Sequence, residues 1–367
     1  MNPQQVNLFL TFLWAFTISV FAIPSIIHVA HLKNLLDEPN HRTMHVSLTP
    51  RLGGLAVFAG FVSAITVFGT ITNTIQEILA GSLLLFFIGM KDDVVSISAA
   101  KKFFVQVISA SIVVFMGDVR ITNFQGFLFI HEIPVGISYG FSFLAIIGIT
   151  NAINLIDGLD GLAGSIISTI CAVFGVYFFT LGHYAEASLA IALMGAVVGF
   201  LRYNITKAII FMGDTGSLVC GFLVSVLAIR FMEMKATDSA PAIALAVLSV
   251  PVFDTIRVFS VRIMRGTSPF APDKNHVHHI LTKAGLTQLQ TVITLVLVNL
   301  AIAGVVVLFR NAGSNILVGL LVGFFLLSFF LLEYLDKRNK KRAEANNLAK
   351  QHIMQATHVN HKQSIGL

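Results

Sequence analysis

The sequence predicts an all-α polytopic membrane protein, a bundle of about 11 transmembrane helices with room for a small outer β-hairpin. Three observations carry that reading. Only 11% of the 367 residues are charged and 56% are apolar, whereas a soluble domain is about 25% charged. The mean hydropathy is +0.84. Apolar runs suited to crossing roughly 30 Å of hydrocarbon recur along the chain.

The first run, 6–32, has no basic residue before it, no small-residue cleavage pattern near its end, and Lys33 just after it. It reads as an uncleaved span and not as a signal peptide. Further runs follow at 53–72, 76–90, 103–117, 137–153, 162–181, 185–201, 209–230, 240–263, 288–309 and 313–335. Those at 76–90 and 103–117 are short for a span. Residues 120–133 alone have strand character, and no internal repeat is visible. Residues 1–335 therefore read as one transmembrane domain. Residues 336–367 read as a flexible basic tail, with Lys337, Arg338, Lys340, Lys341 and Arg342 near anionic lipid. Cys171 and Cys220 lie inside apolar runs, which suits packing better than a disulfide or thiolate metal site.

An outside N-terminus puts 33–52, 91–102, 154–160, 202–208, 264–287 and 336–367 on the cytoplasmic side. Of the 24 Lys and Arg, only Arg120, Arg230, Lys235 and Arg310 then fall on the far side, as the positive-inside rule requires. This sorting explains the net charge of +6. No aromatic-basic module is present, so nucleic acid is excluded as a partner. Asp92, Asp93, Asp157, Asp160, Asp214 and Asp254 share the same side. Acids contribute little to topology, so a common cation or phosphate site accounts for them better than the rule that sorted the bases.

Four stretches carry the chemistry. In 151–161, Asn151, Asn154, Asp157 and Asp160 recur every third residue, with Gly158 and Gly161 between them. Helical neighbours at that spacing share a face, and amide and carboxylate oxygens are hard ligands suited to Mg²⁺. Asp92 and Asp93 sit where a helix meets water and point apart, so one can bind a cation while the other orients it or takes a proton. Lys102 is either a phosphate contact or a snorkelling anchor. Phe211-Met212-Gly213-Asp214-Thr215-Gly216-Ser217 sets a carboxylate near a helix start, where backbone N–H groups favour phosphate and Asp214 can hold a metal against it. It lacks the Walker ending. Asn204 adds an amide on the same side. His276, His278 and His279 are too close for a helical zinc pair and suit a nucleotide or its phosphates, beside Asp273 and Lys274. Arg262 and Arg265 are either phosphate contacts or anchors. The early loop holds Asp37, Glu38, Arg42 and His45, then Gly53-Gly54 opening the second span.

Asp92-Asp93, the Asn-x-x-Asn-x-x-Asp-Gly-x-Asp-Gly run from Asn151, Phe211-Met212-Gly213-Asp214 and His276-Val277-His278-His279 together resemble the polyprenyl-phosphate N-acetylhexosamine-1-phosphate transferase family. The resemblance runs, in the expected order, over residues 33–285. It implies a ten- or eleven-helix bundle with a cytoplasmic Mg²⁺ site, Mn²⁺ being the ion that could replace it. It also implies a reaction joining a nucleotide sugar to a polyprenyl phosphate. On this matching, Asp214 is the metal-binding aspartate, with Asp92 and Asp157 nearby. Asp92 and Asp93 are the catalytic pair, while Asp157, Asp160, Asn151 and Asn154 form the loop motif. Lys102 and the histidines complete the substrate site.

The muramoyl-pentapeptide branch usually carries Pro-Leu-His-His-His. Here the residues are Asp273-Lys274-Asn275-His276-Val277-His278-His279, similar to the branch that initiates enterobacterial-antigen, O-antigen and teichoic-acid glycans from UDP-N-acetylglucosamine. Thr206, Lys207 and Ile209 depart from the Asn, Pro and Lys of many members. The expected partners are a UDP-N-acetylhexosamine, undecaprenyl phosphate, bilayer lipid and a second copy of the chain, in a bacterial inner membrane. The rival reading is a transporter or flippase, whose path should reach both sides.

Overall fold

The computed structural model describes residues 2–36, 49–234, 237–268 and 275–364, with side chains up to residue 341. The early loop residues from Asp37 to His45, with Asp273 and Lys274, lie outside them. All eleven apolar runs are helical. The helices are α1 (Pro3–Leu32), α2 (Gly53–Phe68), α3 (Asn73–Val94), α4 (Ala99–Ser111), α5 (Val135–Ile156), α6 (Leu162–Thr180) and α7 (Tyr184–Leu201). There follow α8 (Gly213–Glu233), α9 (Ala240–Val247), α10 (Ser249–Met264), the short α11 (Val277–Lys283), α12 (Gln288–Leu308) and α13 (Ser314–Ser364). Among the described residues, nine helices are long and apolar enough to cross a membrane, and the bent pair α9 and α10 makes a tenth.

The two runs that look short are full spans. Thr72 caps α3 by accepting from Ile75 N, and the helix continues through Asp92 and Asp93 to Val94. Polar ends hide its length from a hydropathy reading. A π-turn at Ile112–Met116 lengthens α4. The short member is α2, 16 residues ended by Gly69. α13 continues as helix through the basic tail to Ser364, where the sequence suggests a flexible segment.

The central helix is α8, 89% buried over its apolar window, against 17% for α13. Its neighbours approach through small residues, as helices must where lipid offers no hydrophobic drive to associate. A Cβ on Gly54 of α2 would collide with Gly216 N, and one on Gly89 of α3 would lie 2.5 Å from Thr215 Cα. On α8 itself, a Cβ at Gly221 would meet Thr150 of α5 at 2.8 Å. These contacts fix the start of α8 against α2 and α3.

The run at 240–263 breaks, with a 76° bend between α9 and α10. Pro251 has no N–H for the Val247 carbonyl one turn back. Asn299 of α12 supplies the replacement: Nδ2 donates to Val247 O at 3.0 Å. Its Oδ1 accepts from Val250 N at 3.2 Å and Ser249 Oγ at 3.1 Å.

In the outer segment, Phe124 N donates to His131 O and Ile133 N to Thr122 O, both at 2.9 Å. The pairing amounts to a single antiparallel bridge, Asn123 with Glu132, and not to strands. Glu233 takes the Thr122 N–H and hydroxyl, which diverts that edge from further pairing.

Candidate active site

The acidic motifs meet at one end of the bundle. Asp92 and Asp93 close α3, Lys102 lies in the first turn of α4, Asp157 to Gly161 join α5 to α6, and Asp214 opens α8. Lys102 Nζ donates to Asp92 Oδ2 at 3.1 Å and to Asp214 Oδ2 at 2.6 Å. Carboxylates from two helices thus converge on one cationic group. Asp92 Oδ1 also accepts from Ile97 N at 2.8 Å, which fixes the turn between α3 and α4.

Asp93 faces another way. Its Oδ1 accepts from Asp214 N at 2.7 Å, and its Oδ2 accepts from Thr215 N at 2.9 Å and Thr215 Oγ1 at 2.5 Å. It caps the N-terminus of α8, where a carboxylate satisfies otherwise orphaned N–H groups. The approach requires Gly213, at φ +72°: a Cβ there would collide with Arg51 O and lie 2.6 Å from Asp93 Oδ2.

Asp157 stands half-buried in the loop after α5. Burial pushes its carboxyl up to about 7, and the charges of Asp214, Asp93 and Asp160 add to the rise while Arg51 opposes it. The pocket holds more negative charge than its bases balance, a condition a bound cation relieves.

The remaining loop residues are structural ties. Asp160 Oδ2 accepts from Ala208 N at 3.1 Å. Asn204 accepts from Gly161 N at 2.7 Å and donates to Ile210 O at 2.9 Å. Together they staple the 157–161 loop to the segment leading into α8. Asn151 pairs its amide with that of Gln106 on α4, at 2.8 and 3.3 Å. Asn154 is half-buried, and its carbonyl accepts from Asp157 N at 3.3 Å.

His278 is buried, and a Cβ on Gly158 would sit 2.6 Å from its Nε2. The histidine turn therefore lies against the acidic loop. Neither His278 ring nitrogen has a hydrogen-bond partner among the described residues. Burial, with His279 beside it, pulls its imidazole down to about 3, so the ring is neutral. His276 Nδ1 lies 2.8 Å from Asp254 Oδ2, and His279 packs 4.3 Å from the His278 ring.

Arg262 is buried with its guanidinium over Phe259. Arg265 faces Glu333 and Asp336 of α13 at 3.6 and 3.9 Å. Sequence reasoning missed Gln106 and Arg257, and it placed Thr215 in the Asp214 motif without its tie to Asp93. Arg257 had a visible signal, a base inside an apolar run.

Among the described residues no three His, Cys, Asp or Glu form a ready metal cage. Two converging carboxylates with open positions are nevertheless the arrangement Mg²⁺ takes when substrate phosphates complete its shell.

Comparison with known proteins decides the family. The glycosyl transferase family 4 profile matches residues 75–232, from α3 to the end of α8. A probable undecaprenyl-phosphate N-acetylglucosaminyl 1-phosphate transferase of Bacillus subtilis is 31% identical, over 90% of this chain and 92% of that protein. The chain belongs to glycosyl transferase family 4. The undecaprenyl-phosphate alpha-N-acetylglucosaminyl 1-phosphate transferases of Salmonella typhi and Escherichia coli K12 are 30% and 28% identical. They align over 84% and 86% of this chain, and over 85% and 87% of their own lengths. The chain is thus a multi-pass phosphoglycosyl transferase of family 4, on the branch named for undecaprenyl phosphate. The family 4 match spans Asp92, Asp93, Lys102, the 151–161 loop and Asp214, and ends before the histidine turn.

Proposed function

We propose that the protein transfers N-acetylglucosamine 1-phosphate from UDP-N-acetylglucosamine to undecaprenyl phosphate. UMP is released at the cytoplasmic face of a bacterial inner membrane. The product starts a lipid-linked envelope glycan of the O-antigen, enterobacterial-antigen or teichoic-acid type. The observation that carries this reading is the convergence of Asp92 and Asp214 on the Lys102 ammonium, beside a loop whose Asp157 is destabilised as an anion.

An oxygen of the lipid phosphate bonds to the β-phosphorus of the donor. The bond from that phosphorus to the oxygen bridging to UMP breaks, and UMP leaves with the electron pair. Asp214 and Asp92, with Asp157 beside them, would hold Mg²⁺, or Mn²⁺ in its place. Bound there, the ion supplies neutralisation of the diphosphate charge. Lys102 stands where it can pass from the two carboxylates to a phosphate oxygen. Asp93 keeps the start of α8, and so Asp214, in place. The histidine turn, against Gly158, presents imidazoles to the nucleotide end. The lipid phosphate is already ionised at neutral pH, so these residues act chiefly by positioning.

The test is purified protein with undecaprenyl phosphate, Mg²⁺ and radiolabelled UDP-N-acetylglucosamine. Label should enter the lipid phase as UMP appears in water, and Asp214→Asn should remove most turnover in a folded protein. Near-normal turnover by that variant would refute the assigned ion seat. Absence of transfer by wild type, with transfer from another UDP-N-acetylhexosamine, would overturn the choice of sugar.

A further inference from the structure

Behind the histidine turn lies a buried cluster with no place in the reaction described so far. Asp254 and Arg257, one turn apart on α10, are only 6% and 1% exposed. Such groups are rare inside a membrane bundle and are kept where they do something. Three contacts end on Asp254. Its Oδ1 accepts from Arg257 Nη2 and from Val277 N, both at 2.9 Å, and its Oδ2 meets His276 Nδ1 at 2.8 Å. Arg257 Nη2 also donates to the Asn275 carbonyl, and Nη1 lies 3.6 Å from Glu333 of α13. The pair thus grips the turn at three successive residues, Asn275, His276 and Val277. Downstream, the His276 and His278 rings lie parallel at 5.8 Å, and His278 lies against Gly158.

The chemistry of the grip decides what His276 offers. An ionised carboxylate only accepts hydrogen bonds, so Asp254 requires the proton on Nδ1 and leaves Nε2 as the nitrogen available to a ligand. A carboxylate behind a ligand-facing imidazole fixes both tautomer and ring orientation. The anchor stands on α10, whose direction is set by the 76° bend, so the turn is referenced to the bundle and not to its own loop.

We propose that Asp254 and Arg257 are positioning residues that set the histidine turn over the 157–161 loop, and thereby the affinity for the nucleotide diphosphate of the donor. The donor half of this statement rests on the function proposed above. The placement half does not. Both are read in one experiment on the full chain in lipid nanodiscs, with Asp254→Asn and Asp254→Glu beside wild type.

Amide hydrogen exchange reports the placement without substrate. Asp254→Asn should speed exchange at 277–283 and at 157–161, with α12 unchanged, and Asp254→Glu should restore part of the protection. Kinetics report the consequence. The KM for UDP-N-acetylglucosamine should rise about tenfold or more, while the KM for undecaprenyl phosphate stays put and kcat changes little, the signature of lost donor binding. Should Asp254→Asn fail to fold, Arg257→Lys, which keeps the charge and loses the fork to Asn275, should give the same split in smaller measure. Unchanged exchange at 277–283 would overturn the proposal whatever the donor is. Faster exchange with both KM values unmoved, or raised together, would overturn the link to donor affinity. The exchange pattern in the variants, with no transfer from UDP-N-acetylglucosamine by wild type, would sink the proposed donor, and with it the donor half, while upholding the placement.

Discussion

Replacing Asp93 by Asn separates two jobs that a carboxylate at this position could do. Three hydrogen bonds end on Asp93, from Asp214 N, Thr215 N and Thr215 Oγ1. The best amide orientation keeps its oxygen for both Thr215 donors and turns its NH₂ toward Asp214 N–H. One charge-assisted hydrogen bond is then lost, about 1.5–3 kcal/mol. So is a negative charge at a helix N-terminus, about 0.3–1 kcal/mol. The sum, about 2–4 kcal/mol, falls on the helix start that carries Asp214. Thermal unfolding in detergent, followed through Trp14, should show a clearly lower midpoint, and turnover should fall together with a higher Mg²⁺ requirement. Thr215→Val, which removes only the hydroxyl bond, should show a weaker version of both. An Asn variant with a wild-type midpoint and no turnover would refute the capping role and point to proton transfer. A variant normal in both would mean that these hydrogen bonds contribute nothing.

Lys102→Met leaves Asp92 and Asp214 without their ammonium, so the Mg²⁺ concentration for half-maximal activity should fall while maximal turnover drops. An unchanged Mg²⁺ dependence would mean that the lysine does not occupy the ion's position. Gly213→Ala places a Cβ against Arg51 O and 2.6 Å from Asp93 Oδ2 at φ +72°, so it should cost both folded yield and activity. Folded protein with normal turnover would show that the backbone there can rearrange. The Asp157 carboxyl, at about 7 against an ordinary 3.8, binds its proton more tightly folded than unfolded. Its contribution to metal-free stability is full below about pH 4 and is lost as pH rises to about 7. Unfolding midpoints across that range should decline less steeply in Asp157→Asn than in wild type; identical slopes would discount the carboxyl.

The helices were legible because each buries an apolar run, and the same signal misjudged them where polar residues belong to the helix. α3 looks short because Asp92 and Asp93 lie inside its last turn. The bend between α9 and α10 is hidden because Pro251 and its neighbours are as apolar as a straight span. The acids were legible as a group by their shared side, but their division of labour was not. Asp93 meets its partners 121 and 122 residues away, and Asn151 finds Gln106 across 45. A motif records that residues belong to one site, whereas packing decides which side chain faces a ligand and which holds the scaffold. Arg265 shows the same limit, since Glu333 and Asp336 lie on the last helix.

Asn299 also bears on how the chain is made. The groups it satisfies precede it by 49, 50 and 52 residues, so during synthesis α9 and α10 are made before their partner is. Until α12 arrives, the Val247 carbonyl and Val250 amide have no protein partner, a costly condition away from water. The last third of the protein therefore matures as a unit. α10, with the acid and base that grip the histidine turn, acquires its direction only once α12 has joined the bundle. A chain stopped before α12 would carry every acidic motif of the site, and the Asp254 and Arg257 that grip the histidine turn, without the Asn299 that holds their helix at its bend.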